Sequence, residues 1–444
     1  MSNEYGQALS GSVADFRNAE GVDLLDRWMS HYDWWERRSE YGVDPYSKYT
    51  LGRITTVTQA HSRKGRVIGS GRSINFASQD YLSLAGHPAV CEAAKNAIDN
   101  YGVHSAGSAA LMGQTLMTEV LEKRIAEKLK LNDCTVFPTG WGAAYGTIRA
   151  LVSQKDHVVM DIISHASLIE GARAATKNVH FFPNNNTDHL ERKLKRIRSD
   201  DPSCGILVVT EGLFSMDSTT PDIEKFQELA HFYDATLFLD VAHDFGSMGS
   251  SGGGSLEIQD MLGKVDIVMG SFSKSFASNG GFVATNHPSL KLALRYNSGP
   301  LTFTNALSPV QAACVIASLD IIQSSEGAIR REKLMSNSIS LRDRLSSRGF
   351  KVLGKPSAIV PVVLGPVDEA RIITREILNS GFLVNLVEYP AVSRNSARWR
   401  LQVMADHDSS QINDLVDATS KIKDSISVFS SDTFSLVDVT SLGR

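Results

Sequence analysis

Short apolar runs alternating with helical stretches constrain this chain more than any other feature. The runs are TVF (135–137), HVVMD (157–161), VHFF (179–182), GILVVT (205–210), TLFLD (236–240), VDIVMG (265–270) and GFVAT (281–285). Between many of them lie helix-period segments. TLMTEVLEKRIAEKLKL (115–131) puts Leu121, Ile125 and Leu129 on one face, and DIEKFQELAHFY (222–233) follows Pro221. Strand, helix and strand in series demand crossover connections. The expected fold class is therefore α/β: a mostly parallel sheet sandwiched by helices.

The sequence on either side of this pattern divides the 444 residues further. Residues 1–70 form an N-terminal helical segment and arm. Within it, LLDRWMSHYDWWERR reads as a helix with a stripe of Leu24, Leu25, Trp28, Tyr32 and Trp35, expected to pack on the body or on a partner subunit. Residues 71–305 form the large α/β domain. Residues 306–428 form a smaller α+β domain whose first helix starts at Ser308-Pro309, an N-cap followed by proline. Residues 429–444 are a Ser-rich tail.

Composition excludes several function classes. Lys+Arg 45 against Asp+Glu 49 gives a net charge of −4, with no basic patch for nucleic acid. Four scattered cysteines without C-x-x-C argue against a disulfide framework or zinc knuckle. No apolar run is long enough to span a membrane, and the N-terminus has no signal pattern. The expectation is a cytoplasmic protein.

In open α/β sheets ligands bind beyond the carboxyl ends of the strands. The residues that follow the apolar runs are Asp161 and His165, then Glu211 and Ser215, then Asp240 and His243, then Lys274 in SFSK. There is no GxxxxGK[ST], no H-E-x-x-H and no G-x-S-x-G, so P-loop, zincin and serine-hydrolase chemistries lack their motifs and no metal is expected. SGGGS (251–255) reads as a loop. A Lys in a Ser-rich turn, with an acidic residue one βα unit earlier, fits pyridoxal phosphate. The amine forms a Schiff base and the carboxylate pairs with the pyridine nitrogen. Ser271, Ser273 and glycine amides can hold a phosphate.

Six segments carry a family resemblance: NFASQDYLSL (75–84), FPTGWGAAYG (137–146), SHASLIEGAR (164–173), TEGLFSMDS (210–218), LDVAHDFG (239–246) and SFSKSFASNGG (271–281). In order and spacing, over about 50–425, the chain resembles the α-oxoamine synthases, fold-type-I enzymes dependent on pyridoxal phosphate (PLP). DIISHASLIEGARAA and NNNTDHL also resemble the branch that makes α-hydroxyketone autoinducer precursors.

The resemblance implies a decarboxylating condensation of an amino acid with an acyl thioester, giving an α-amino ketone. Lys274 would carry the internal aldimine and shuttle the Cα proton. Asp240 would pair with the pyridine nitrogen, His243 would bond the ring hydroxyl oxygen and His165 would stack on the ring. Gly140, Trp141 and Ser271 would meet the phosphate, and Glu211 and Ser215 would lie near the ring. Thr304 would reach the phosphate of the other subunit in a homodimer, and Arg400 would clamp the substrate carboxylate, with Arg398 as competitor. Coenzyme A or an acyl carrier protein would deliver the acyl group. Departures from the family pattern include Gln79 and Ser83, Ala106 and Ala109 in the Gly-rich stretch, and Thr118. Ala109, Ala110, Leu111 and Met112 would either pack their own loop or line an acyl channel. The alternatives are another fold-type-I reaction, such as an aminotransferase, and a catalytically silent partner subunit.

Overall fold

Seven apolar runs pair into one sheet in the structure, a computed structural model that describes residues 2–46, 48–62, 68–69 and 71–431. The strands are β1 (Asp133–Phe137), β2 (His157–Asp161), β3 (Val179–Phe182), β4 (Ile206–Glu211), β5 (Thr236–Asp240), β6 (Ile267–Ser271) and β7 (Gly281–Thr285). Their spatial order is β3-β2-β4-β5-β6-β7-β1. Helices such as Ala166–Ala175, Thr187–Asp200 and Ile223–Phe232 connect the parallel strands.

Only β7 in this sheet runs antiparallel, pairing with both β6 and β1. No helix separates β6 from β7. A short loop turns the chain straight back, which forces the antiparallel pairing, and that loop carries Lys274. The sheet is buried on both faces, as the continuous apolar runs require. Val159, Val208 and Leu239 belong to one core cluster, while Val158, Val209 and Phe238 belong to another.

The helix Pro309–Gln323 opens as expected, with the Ser308 side chain accepting from Gln311 N–H, and packs on helices Pro88–Tyr101 and Leu116–Leu129 of the large domain. An 80° bend separates it from Ser325–Ser347. Beyond it stands a four-stranded antiparallel sheet of Lys351–Val352, Ile359–Gly365, Ala397–Gln402 and Leu386–Val387. Strand Ser73–Asn75 pairs with Phe382–Leu383, so residues 73–85 lie against the C-terminal domain. No single helix among the described residues is long and apolar enough to cross a membrane.

Four members of the N-terminal stripe do not pack on the body of their own chain. The helix spans Met29–Glu40, and Leu24, Leu25, Trp28 and Tyr32 are exposed. Its buried face is Trp34 and Arg38. The Arg38 guanidinium lies 4.2 Å from the Trp34 ring centroid and 3.2 Å from Glu388. Arg371 bonds the other Glu388 oxygen at 2.8 Å and donates to the carbonyls of Ser10 and Gly11. A buried ion-pair triad, not an apolar stripe, thus fastens the arm. At the other end, helix Ser409–Ser431 runs past the expected start of the tail, and residues 432–444 lie outside the described residues.

Candidate active site

Sheet register assembles the acidic half of the site. Glu211 and Asp240 end adjacent parallel strands and are direct partners, and Asp240 is paired with Met269 on β6. Asp240 Oδ1 accepts the Ala242 N–H at 2.8 Å. Glu211 Oε1 accepts the His165 N–H at 2.5 Å, anchoring the turn before helix Ala166–Ala175. Burial raises the pKa of both carboxyls, Glu211 well above the usual carboxylate range, with Asp240 adding to the rise. Opposing them, Lys274 lowers Asp240.

The basic half comes from three further segments. Burial lowers the Lys274 pKa, Asp240 opposes the shift and Arg400 adds to it. An amine so placed is nearer its nucleophilic, uncharged form. Burial also holds His243 well below the ordinary histidine value, with Lys274, Arg400 and His165 adding to it, so this imidazole is neutral. His165 is solvent-accessible within the cleft; desolvation there lowers its pKa, and Lys274 and Arg400 lower it further against Asp240. Arg400 sits on strand Ala397–Gln402 and forms no ion pair among the described residues. Its Nε is buried without a partner.

A third corner forms where β1, β6 and β7 meet. Thr139 caps helix Gly140–Leu151, accepting from Gly142 N–H at 2.9 Å. Gly140 lies so close to Ser271 that a Cβ there would fall 2.6 Å from the Ser271 hydroxyl. Gly281 presses on Gly140 equally closely. Ser271 Oγ is 2.8 Å from Ser273 Oγ, and Trp141 is partly exposed beside His165. A helix N-terminus flanked by two hydroxyls suits a phosphate.

Further expected residues make other contacts within the chain. Ser215 is buried in the turn after β4. Thr304 donates to Pro300 O within its own turn, beside the exposed Phe303. Arg398 is tied to Asp217 and is not free for a substrate. Asp161 ties its own loop to the loop after β3, accepting from Ile163 and Asn185 N–H. Ser83 and Ala106, which depart from the family pattern, hold φ of 55° and 54°. Each keeps a left-handed backbone that glycine adopts at lower cost. Leu111 and Met112 are exposed, so they do not pack their own loop, whereas Ala109 packs on a core cluster of the large domain.

Comparison with known proteins decides the family. The model of aminotransferase class I and II matches residues 72–418. The 2-amino-3-ketobutyrate coenzyme A ligase of Salmonella typhimurium is 32% identical over 82% of this chain and 91% of its own length. The 8-amino-7-oxononanoate synthase of Geobacter sulfurreducens is 33% identical over 82% and 93%. The chain belongs to the α-oxoamine synthase family. A serine palmitoyltransferase from S. paucimobilis, with a bound PLP–myriocin aldimine, superposes with a TM-score of 0.84 at 27% identity, covering 91% of this chain and all of that one. The fold is fold-type-I, the cofactor is pyridoxal phosphate, and the chain is an acyl-transferring enzyme of this family.

The residues present fit that cofactor. Gly140 leaves a cradle beside the Ser271 hydroxyl that a Cβ would fill, and one lysine lies among two carboxylates and two histidines. Sequence reasoning missed one member of this α-oxoamine synthase site. The Tyr81 hydroxyl lies 2.9 Å from His243 Nδ1, and both side chains are buried. The only sequence signal was the position of Tyr81 inside QDYLSL. A separate group, His157, Asp201 and Cys204, sits at the opposite edge of the sheet with donor atoms within 4.8 Å of one another. Its members already have protein partners: His157 bonds His180 at 2.9 Å and the Cys204 thiol donates to Asp201 O at 3.2 Å.

Proposed function

We propose that this α-oxoamine synthase condenses an α-amino acid with an acyl thioester, releasing carbon dioxide and the thiol and leaving an α-amino ketone. The supporting observation is the pairing of a desolvated Lys274 with the unpaired Arg400 cation: a proton carrier and a carboxylate receptor at one site. Bound pyridoxal phosphate supplies an electron-withdrawing ring that stabilises negative charge at the substrate α-carbon.

The chain's own residues do the rest. Lys274 takes and returns the α-carbon proton, a role its depressed pKa suits. Asp240 would hold the ring nitrogen, His243 the ring oxygen and His165 the ring face. Gly140, Trp141 and Ser271 would hold the phosphate, with Glu211 and Ser215 behind the ring. Arg400 binds the amino-acid carboxylate through its planar guanidinium.

A homodimer completes this reading. Ser108 bridges Asn305, and Ser105 Oγ donates to Ala306 O, so the loop holding Leu111 and Met112 adjoins the segment holding Phe303 and Thr304. Three exposed apolar side chains on joined loops suit burial against a second copy, which would bring Thr304 to the partner's phosphate site.

The test mixes the PLP-loaded protein with single amino acids and with acyl-coenzyme A or an acyl carrier protein. Thiol release and an α-amino ketone, each dependent on both substrates, are expected. Conversion of the amino acid to an oxo acid without thioester would make the chain an aminotransferase instead.

A further inference from the structure

Tyr81 and His243 are 162 residues apart in sequence, yet they form a buried hydrogen bond. Tyr81 is held from both sides: its N–H donates to Gln79 O at 3.0 Å, and its carbonyl accepts from Ala405 N–H at 2.8 Å. Burial raises its pKa well above the usual phenol value, so the hydroxyl keeps its proton. The groups facing His243 are Lys274, Arg400 and His165, and they combine with burial to keep the imidazole neutral.

A neutral imidazole carries one proton, so one nitrogen donates and the other accepts. Two arrangements satisfy the 2.9 Å contact. Either Tyr81 O–H donates to a bare Nδ1, or Nδ1–H donates to the Tyr81 oxygen. The second leaves the buried Tyr81 O–H without an acceptor among the described residues, a desolvation cost of about 1–3 kcal/mol. The first gives the Tyr81 O–H its acceptor and puts the imidazole proton on Nε2, leaving that one donor without a hydrogen bond to protein among the described residues, whereas the second leaves both the Tyr81 O–H and the Nε2 lone pair without one.

We propose that Tyr81 is a positioning residue that locks His243 in the Nε2–H tautomer, so that the imidazole presents a donor, not a lone pair, to the ring oxygen of the cofactor. The half that concerns the cofactor rests on the reading of His243 given above; the tautomer does not.

Two measurements test the two halves separately. The first uses the wild-type full-length protein without cofactor, labelled with ¹⁵N-histidine, with His243 assigned through H243Q. Nε2 is expected to read as the protonated nitrogen and Nδ1 as the bare one. The reverse tautomer would overturn the proposal. In Y81F, where the phenol proton is gone, a mixture is expected.

The second follows the visible absorption band of the PLP-loaded protein against pH in wild type, Y81F, H243Q and the double variant. A donor on the ring oxygen lowers the pH at which that band titrates. Y81F is therefore expected to raise the midpoint by about half a pH unit or more, and to add nothing in the H243Q background. An unchanged midpoint in Y81F, or an equal shift in both backgrounds, would overturn it. If even the wild type shows no band, the cofactor reading fails, while the nitrogen measurement still judges the tautomer.

Discussion

Arg398 and Arg400 lie two residues apart on one strand, and of the two only Arg398 has an acidic partner among the described residues, Asp217. Alternation along a strand puts both on one face. Arg398 is neutralised there and also donates to Ser396 O, while Arg400 keeps an unpartnered buried Nε near Lys274 and His243. The two arginines therefore answer differently to mutation. Arg400→Ala should raise KM for the amino acid by roughly 10–100-fold, the value of about 1.5–3 kcal/mol for a charged hydrogen bond. Arg398→Ala should act mainly on stability. Steady-state kinetics with the amino acid varied, alongside thermal unfolding, separates the two. Equal KM effects from both variants would refute the assignment.

Lys274→Ala should remove the visible absorption of the loaded protein and lower turnover by at least about 10²–10⁴-fold, the usual weight of a positioned acid–base group. The phosphate corner should still bind cofactor, because Gly140 and Ser271 are untouched. Equilibrium dialysis with PLP measures that directly. Complete loss of binding would mean that Lys274, not the helix N-terminus, holds the cofactor.

Asp244 adjoins His243 and forms no ion pair among the described residues. It is fully buried, accepts from Ser255 N–H at 2.6 Å, and leaves Oδ1 unpartnered. Burial raises its pKa from 3.8 to about 7. The folded state therefore binds the proton more tightly than the unfolded state. Its favourable contribution is complete below the unfolded value and is lost as pH rises through about 7. Asp244→Asn, which cannot ionise, should gain thermal stability relative to wild type between pH 5 and pH 8. Scanning calorimetry at several pH values checks the sign, and an Asn variant whose deficit grew with pH would contradict it.

Glu388 is the shared anion of Arg38 and Arg371, and both pairs are fully buried. Glu388→Gln removes the ion-pair partner of both cations and leaves only the more weakly acting Asp44 to oppose Arg38, and breaking comparable buried pairs costs about 3–5 kcal/mol. Urea unfolding should show this loss, and limited proteolysis should cut the N-terminal arm faster. An arm as protected as in wild type would show that Trp34 and the backbone carbonyls hold it without Glu388.

The parallel core was legible because two-sided burial leaves its strands almost wholly apolar. The run at 236–240 reads as a strand from composition alone and forms β5 over the same residues. Strand Ala397–Gln402 was not legible. Its sequence, ARWRLQ, mixes charge with a Trp, yet Trp399 is fully buried with its Nε1–H on Thr374 Oγ1 at 2.8 Å. The aromatic stripe at 24–35 is a related case within the single chain. Periodicity marks a face able to pack, but the Glu388 triad made the Trp34 and Arg38 face the buried one.

The sequence by itself determined the sheet, the residues that end its strands and the family they belong to. Those depend on local composition and on spacing along the chain. Only the tertiary structure decided that Glu211 and Asp240 stand side by side, that Arg398 is spent on Asp217 while Arg400 is not, and that Tyr81 reaches His243. Each of these depends on which distant segment fills the space beside a buried polar group. A buried charge or donor must find its partner in three dimensions, and spacing along the chain does not say where that partner lies.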